Sequence, residues 1–114
     1  LVKWEVGKRD LSTYIVTSNM HERKTVMYQN SDAVVVLPGG IGTLDEFFEV
    51  LTWRYLKLHD KPIFILNVEG FWDPLARLID QLIDEGFAGA EIRDFYTVVP
   101  DVPRLAASLR AALA

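Results

Sequence analysis

The most constraining feature of this 114-residue chain is one passage through its middle. An unbroken apolar run, Ala33-Val34-Val35-Val36-Leu37, enters Pro38-Gly39-Gly40-Ile41-Gly42-Thr43-Leu44-Asp45-Glu46 and leaves as Phe47-Phe48-Glu49-Val50-Leu51. A strand apolar on both faces belongs to a parallel sheet covered on both sides. The order predicted here is therefore strand, glycine turn, helix. Glycines at 39, 40 and 42 let backbone amides crowd toward a ligand without Cβ atoms in the way. The helix that follows aims its free N–H groups and positive dipole end at the same spot, which suits a phosphate. A bare βα turn is the other reading, but three glycines and a threonine at a strand-to-helix switch favour phosphate. The loop is neither a dinucleotide G-x-G-x-x-G fingerprint nor a P-loop, because no lysine follows its last glycine.

The flanking sequence repeats the alternation. Residues 1 to 13 carry little signal; Gly7 to Ser12 is polar and turn-like, so the opening reads as the tail of a helix. Tyr14 to Ser18 is β-branched and aromatic, a short strand. Asn19 suits the N-cap of a helix running through Met20-His21-Glu22-Arg23-Lys24 to about Asn30. After the glycine loop, Leu44, Phe47, Phe48, Leu51, Tyr55 and Leu58 fall on one helical face. Val50 and Trp53 form a second stripe, which fits either a partner subunit or a helix broadly buried in its own chain. Pro62 to Leu66 is another apolar strand. Asp73 and Pro74 then suit N-cap and N1 of a helix with Leu75, Leu78, Ile79, Leu82 and Ile83 inward and Gly86 as its C′ stop. Residues 87 to 95 read as loop, Phe95 to Val99 as a final strand and Pro103 to Ala114 as a closing helix. Strands alternating with helices imply an α/β fold: one domain over residues 1–114, with a Rossmann-like parallel sheet and helices on both faces.

Composition narrows the function. A net charge of -4 and a pI near 5.1 argue against a nucleic-acid surface, which needs clustered Lys and Arg. The chain has no cysteine, which removes disulfides, thiolate metal sites and thiol nucleophiles and suits a reducing cytoplasm. No apolar run is long enough to span a bilayer. The chain opens at Leu1 with neither an initiator Met nor a signal-peptide pattern, so a preceding N-terminal segment is expected.

Ligands of parallel α/β sheets bind beyond the carboxyl ends of the strands. Arg23 follows strand 14–18 and the glycine loop follows strand 33–37, so topology brings both to one edge. Taken alone, Arg23 and Lys24 would be a solvated helix face. His21 and His59 have no ligand spacing between them, so no metal is expected. Glu46 has two readings. Thr43-Leu44-Asp45-Glu46 is a capping-box spacing, in which Glu46 would bond back to the Thr43 amide. Alternatively, a carboxylate beside a phosphate site faces a sugar, where it binds hydroxyls or stabilises positive charge at the anomeric carbon.

Met20-His21-Glu22-Arg23-Lys24 followed by Pro38 to Glu46 resembles the LOG ("lonely guy") family, whose pattern is M-H-x-R-K, a strand, then P-G-G-x-G-T-x-x-E. Both halves match at every fixed position. The resemblance implies a Rossmann-type protein, typically dimeric, that binds a nucleoside 5′-monophosphate. It also implies hydrolysis of the N-glycosidic bond of cytokinin riboside 5′-monophosphates, or of AMP, to free base and ribose 5-phosphate without a cofactor. By the same resemblance Arg23 and Glu46 take the two catalytic positions, Gly39, Gly40, Gly42 and Thr43 the phosphate loop, and Lys24 a supporting contact. "Lysine decarboxylase" labels given to such sequences find no chemical support in these motifs. Family members begin with a further strand, glycine-containing loop and helix, so the resemblance covers the C-terminal part of the domain. A mononucleotide-binding module without catalysis and a purely structural dimerisation domain are the competing readings.

Overall fold

The computed structural model describes residues 2–6, 9–16 and 31–113. Among these, five strands form one sheet in chain order: β1 (Val2–Val6), β2 (Arg9–Val16), β3 (Ala33–Val36), β4 (Ile63–Leu66) and β5 (Tyr96–Val99). The described helices are α1 (Ile41–Tyr55), α2 (Asp73–Asp84) and α3 (Val102–Leu113). Strands β2 to β5 are mutually parallel, with Val34 beside Ile63 and Ile63 beside Tyr96. Helices α1 and α2 pack in one cluster on the same face of the sheet, as right-handed crossovers that step to the next strand require.

The strands show why. All four residues of β3 and all four of β4 are buried. Val34, Val36, Ile63 and Ile65 pack with Phe47, Val50, Leu75 and Ile79 of α1 and α2. Ala33, Val35, Phe64 and Leu66 point the other way, onto Leu105 and Leu109 of α3. Burying one Val or Ile side chain fully is worth about 1.5–3 kcal/mol, so strands enclosed on both faces are the main source of cohesion. The expected α/β sheet with helices on both faces is what forms.

The opening differs from the sequence expectation. Residues 2–6 are a strand rather than a helix tail, and β2 begins at Arg9, well before Tyr14. β1 pairs antiparallel with β2, Val2 opposite Thr13 and Val6 opposite Arg9, which makes the sheet mixed. Val2, Trp4 and Val6 alternate with Lys3 and Glu5, a period-2 pattern too short to stand alone; cross-strand pairing supplies the rest. The helix expected over 19–30 lies outside the described residues.

Helix α1 also ends early. Lys57 takes a left-handed φ of 63°, and the Leu58 N–H turns back to the Trp53 carbonyl at 2.9 Å. Tyr55 is thus the last helical residue, and Leu58, expected on the inward stripe, is 69% exposed. Val50, assigned to a second stripe, lies in the chain's own core, and Trp53 packs against the same cluster. At α2 the N-cap is Trp72, so the helix begins one residue earlier than expected, with Asp73 at N1 and Pro74 at N2; Leu78 faces out rather than in. Its other end is as expected. Gly86 has φ 80°, its N–H bonds the Ile83 carbonyl at 3.1 Å, and the Phe87 N–H bonds the Leu82 carbonyl at 2.8 Å. Part of the expected 87–95 loop is a 3-10 turn, Ala90–Asp94. Before α3, the Asp101 carboxylate accepts the Arg104 N–H at 2.8 Å, an N-cap bond.

His59 secures the reversal between α1 and β4. Its Nε2 lies 3.0 Å from the Val50 carbonyl, and its Nδ1 accepts the Lys61 N–H at 3.0 Å. This pair of bonds requires the neutral ring with the proton on Nε2. Burial lowers the His59 pKa from 6.5, with Lys61 and Arg54 adding to the effect against the Val50 bond and Asp60. A depressed folded pKa means that the contribution is complete above pH 6.5 and declines as pH falls toward the folded value. Urea midpoints of wild type and His59→Gln, followed from neutral pH to about pH 5, should therefore converge as the pH drops.

Candidate active site

Parallel strands place the chain segments after β3 and β4 side by side at the carboxyl edge of the sheet. The Leu37 N–H reaches the Val16 carbonyl at 3.5 Å and the Asn67 N–H the Val99 carbonyl at 2.7 Å, so pairing continues to the mouth of that edge. From here Pro38 to Gly40 lead into α1.

Gly40 is the N-cap, with φ -110° and ψ -146°, and Ile41 is the first helical residue. The first intrahelical bond runs from the Leu44 N–H to the Gly40 carbonyl at 3.1 Å. The amides of Ile41, Gly42 and Thr43 consequently have no acceptor within the helix. No acidic residue occupies the first turn to offset the positive dipole end. The loop thus presents the donors and field of an anion site.

This start overturns the capping-box reading of Thr43 and Glu46. Thr43 is N3 rather than N-cap, and α1 has no side-chain cap bond. Helical geometry begins three residues earlier, at Ile41 rather than Leu44, because Gly40 accommodates the break from strand to helix. Glu46 falls one turn further on, at offsets of three and four from Thr43 and Gly42, so it shares their face. It is 5% exposed, an unusual setting for a carboxylate.

Gly39 has a steric reason of its own. A Cβ there would overlap the Thr43 hydroxyl and lie 3.0 Å from the Thr43 Cβ, a contact that no Thr43 rotamer relieves. Strand end and first helical turn are therefore in backbone-close contact. Thr43 is completely buried, and its hydroxyl has no hydrogen-bond partner among the described residues. At Gly40 a Cβ would meet nothing within 4 Å, so that position is open. Arg23 and Lys24 lie outside the described residues, as does His21. His59 sits in the turn leading into β4, at the opposite edge from the loop. Among the described residues no cluster of His, Cys, Asp or Glu could hold a metal ion, and no helix is long and apolar enough to cross a membrane.

Motif reading missed the second wall of this edge, residues 67–72 after β4. Phe71 and Trp72 line, with Gly39, Leu44 and Phe48, a largely apolar pocket of about 310 Å³ between the starts of α1 and α2. The indole N–H of Trp72 is buried and, among the described residues, also lacks an acceptor. The apolar strand 62–66 was the available signal, since the loop after a parallel strand must share the ligand edge. The loop itself carries no motif.

A family profile described as "Possible lysine decarboxylase" matches residues 1–109. The cytokinin riboside 5′-monophosphate phosphoribohydrolase LOG2 of Arabidopsis thaliana is 42% identical over 101 residues, 89% of this chain and 47% of LOG2. LOG1 of the same plant, carrying the same enzyme name, is 44% identical over 109 residues, 96% of this chain and 51% of LOG1. The chain belongs to the LOG family. LOG5, also from Arabidopsis thaliana and so named, is 38% identical over 111 residues, 97% of this chain and 49% of its own length. The chain spans about half the length of the curated relatives it matches. Of the two LOG motif halves, the structure describes the second, Pro38 to Glu46, as a strand-to-helix turn with Gly40 as N-cap.

The Gly39–Thr43 contact is directly testable. Gly39→Ala should displace the first turn of α1 and lower the melting temperature clearly, whereas Gly40→Ala, facing open space, should cost the fold little. Thermal melts of the two variants in the intact protein check both; equal melting temperatures would refute the steric argument.

Proposed function

We propose that the intact protein hydrolyses the N-glycosidic bond of a nucleoside 5′-monophosphate, a cytokinin riboside 5′-monophosphate or AMP, to free base and ribose 5-phosphate. The observation that carries the reading is a glycine loop whose free amides, Ile41 to Thr43, stand one helical turn from the buried Glu46. Phosphate would accept from those amides, with the Thr43 hydroxyl as a further donor on the same turn. Glu46 would face the ribose and stabilise positive charge as the bond from the anomeric carbon to the base breaks. The base leaves with that electron pair and takes a proton, while water supplies the oxygen that closes the anomeric carbon. Arg23 either polarises and protonates the departing base or anchors the phosphate, with Lys24 in support. The scheme needs no metal or cofactor, and the cysteine-free composition fits a cytoplasmic setting. The names of the relatives support this chemistry over decarboxylation, which calls for an electron sink such as pyridoxal phosphate.

Chromatography of AMP and isopentenyladenosine monophosphate incubated with the intact protein should show free base. Glu46→Gln should lower kcat by about a hundredfold or more while leaving AMP affinity within a few-fold. Saturable binding without base release from either substrate would instead establish a non-catalytic mononucleotide module.

We further propose that the protein is a homodimer joined across α1 and α2. The groove between these helices continues beyond the pocket at Gly39 into a second apolar hollow of about 160 Å³, and Phe48 lines both. Tyr55 and Leu78 are about half exposed along it and Phe87 is 81% exposed near its end, an apolar stretch that a second copy would cover. Leu78→Glu, at a solvent-facing position, should convert the dimer to a folded monomer in analytical ultracentrifugation; an intact dimer would place the interface elsewhere.

A further inference from the structure

The turn after β4 is fastened more firmly than a passive connection requires. Asn67 donates its backbone N–H to the Val99 carbonyl at 2.7 Å. Its side-chain Oδ1 accepts the Trp72 N–H at 2.6 Å, and its Nδ2 donates to Asp73 Oδ1 at 2.8 Å. One residue thus ties the end of β4 to β5 and to the first turn of α2. Between these anchors Glu69 and Gly70 both have left-handed φ, 51° and 75°, and the Phe71 N–H closes onto the Val68 carbonyl at 2.9 Å. That is the pattern of a tight turn with two left-handed central residues, in which Glu69 is strained and Gly70 is not. Gly70 is also required for space, because a Cβ would sit 2.7 Å from Asp73 Oδ2. The whole turn folds back over the Asn67–Asp73 pair.

The outcome of this folding lies at the site. Phe71 and Trp72 emerge beside Gly39 as walls of one pocket. Their rings meet edge-to-face, with centroids 4.8 Å apart at 89°. Trp72 is buried while half of Phe71 remains exposed, so the pair offers an aromatic surface next to the glycine loop. Flat heteroaromatic bases rest well on such surfaces. We propose that Asn67 is a positioning residue of the nucleotide site: its clasp holds Phe71 and Trp72 against the glycine loop, and Phe71 is the wall for the base of a nucleotide bound there. This rests on the nucleotide reading above, but it concerns binding rather than bond cleavage.

The clasp can be broken and rebuilt. Asn67→Asp sets two carboxylates against each other while keeping an acceptor for the Trp72 N–H. The double change Asn67→Asp/Asp73→Asn restores one donor and one acceptor with their roles exchanged. In the intact protein, Asn67→Asp should raise Kd for AMP and KM about tenfold with kcat within about twofold, and the double variant should return both to within about threefold of wild type. A lower melting temperature with unchanged Kd, or a double variant that folds without recovering affinity, would overturn the proposal. Should Asn67→Asp fail to fold, Asp73→Ala at the exposed start of α2 decides the matter: a raised Kd upholds the clasp and an unchanged Kd rejects it. A wild type that binds AMP but releases no base would end the hydrolase reading while leaving this test standing.

Discussion

The enclosure of β3 between two helical layers is the constraint from which the rest follows. Ala33, Val34, Val35 and Val36 are each at most 2% exposed, and β4 beside them is nearly as deeply covered. A strand with no solvent face cannot be joined to its neighbours by short hairpins without leaving one face open. Crossover helices are the solution, and they force the strands to run parallel. Parallel direction then gathers the chain after each strand at one edge. The glycine loop and the Asn67 turn are neighbours for that reason.

At this edge the same compaction that makes the fold also charges the site. Gly39 lets the segment after β3 press against Thr43, and the helix starts without a polar cap, its first three amides lacking an acceptor within the helix. Nothing acidic in the first turn competes for them. Glu46 is buried one turn further on. The two buried polar atoms without partners among the described residues, Thr43 Oγ1 and Trp72 Nε1, belong to the two segments that meet at Gly39. Unsatisfied buried groups concentrated in one place mark where folding stability has yielded to something else.

Much of this was legible in the residues. Runs 33–37 and 62–66 are apolar almost throughout and read as enclosed strands, and the P-G-G-x-G-T motif marks the turn from strand to helix. The capping-box spacing misled because Thr-x-x-Glu marks a helix start only if the threonine is the N-cap. Here Gly40 takes that place, and the spacing merely puts Thr43 and Glu46 on one face. The end of α1 was misplaced for a similar reason: Lys57 adopts a conformation ordinarily left to glycine, which residue type does not advertise. Asp10, Arg9 and their neighbours enter β2 through pairing with β1, a non-local interaction that local propensity does not carry.

By itself, then, the sequence determined the alternation of strands and helices, the parallel direction of β2 to β5, the glycine turn between β3 and α1 and membership of the LOG family. Each of these depends on local periodicity or on contiguous residues, which a linear reading contains. Tertiary structure alone decided that Val50 faces inward, that Leu78 and Tyr55 do not, and that Phe71 and Trp72 stand beside Gly39. Those facts depend on which surfaces meet when α1 and α2 dock on one face of the sheet. The loop at Pro38 to Glu46 was visible from the start; its second wall became visible only when β4 was set next to β3.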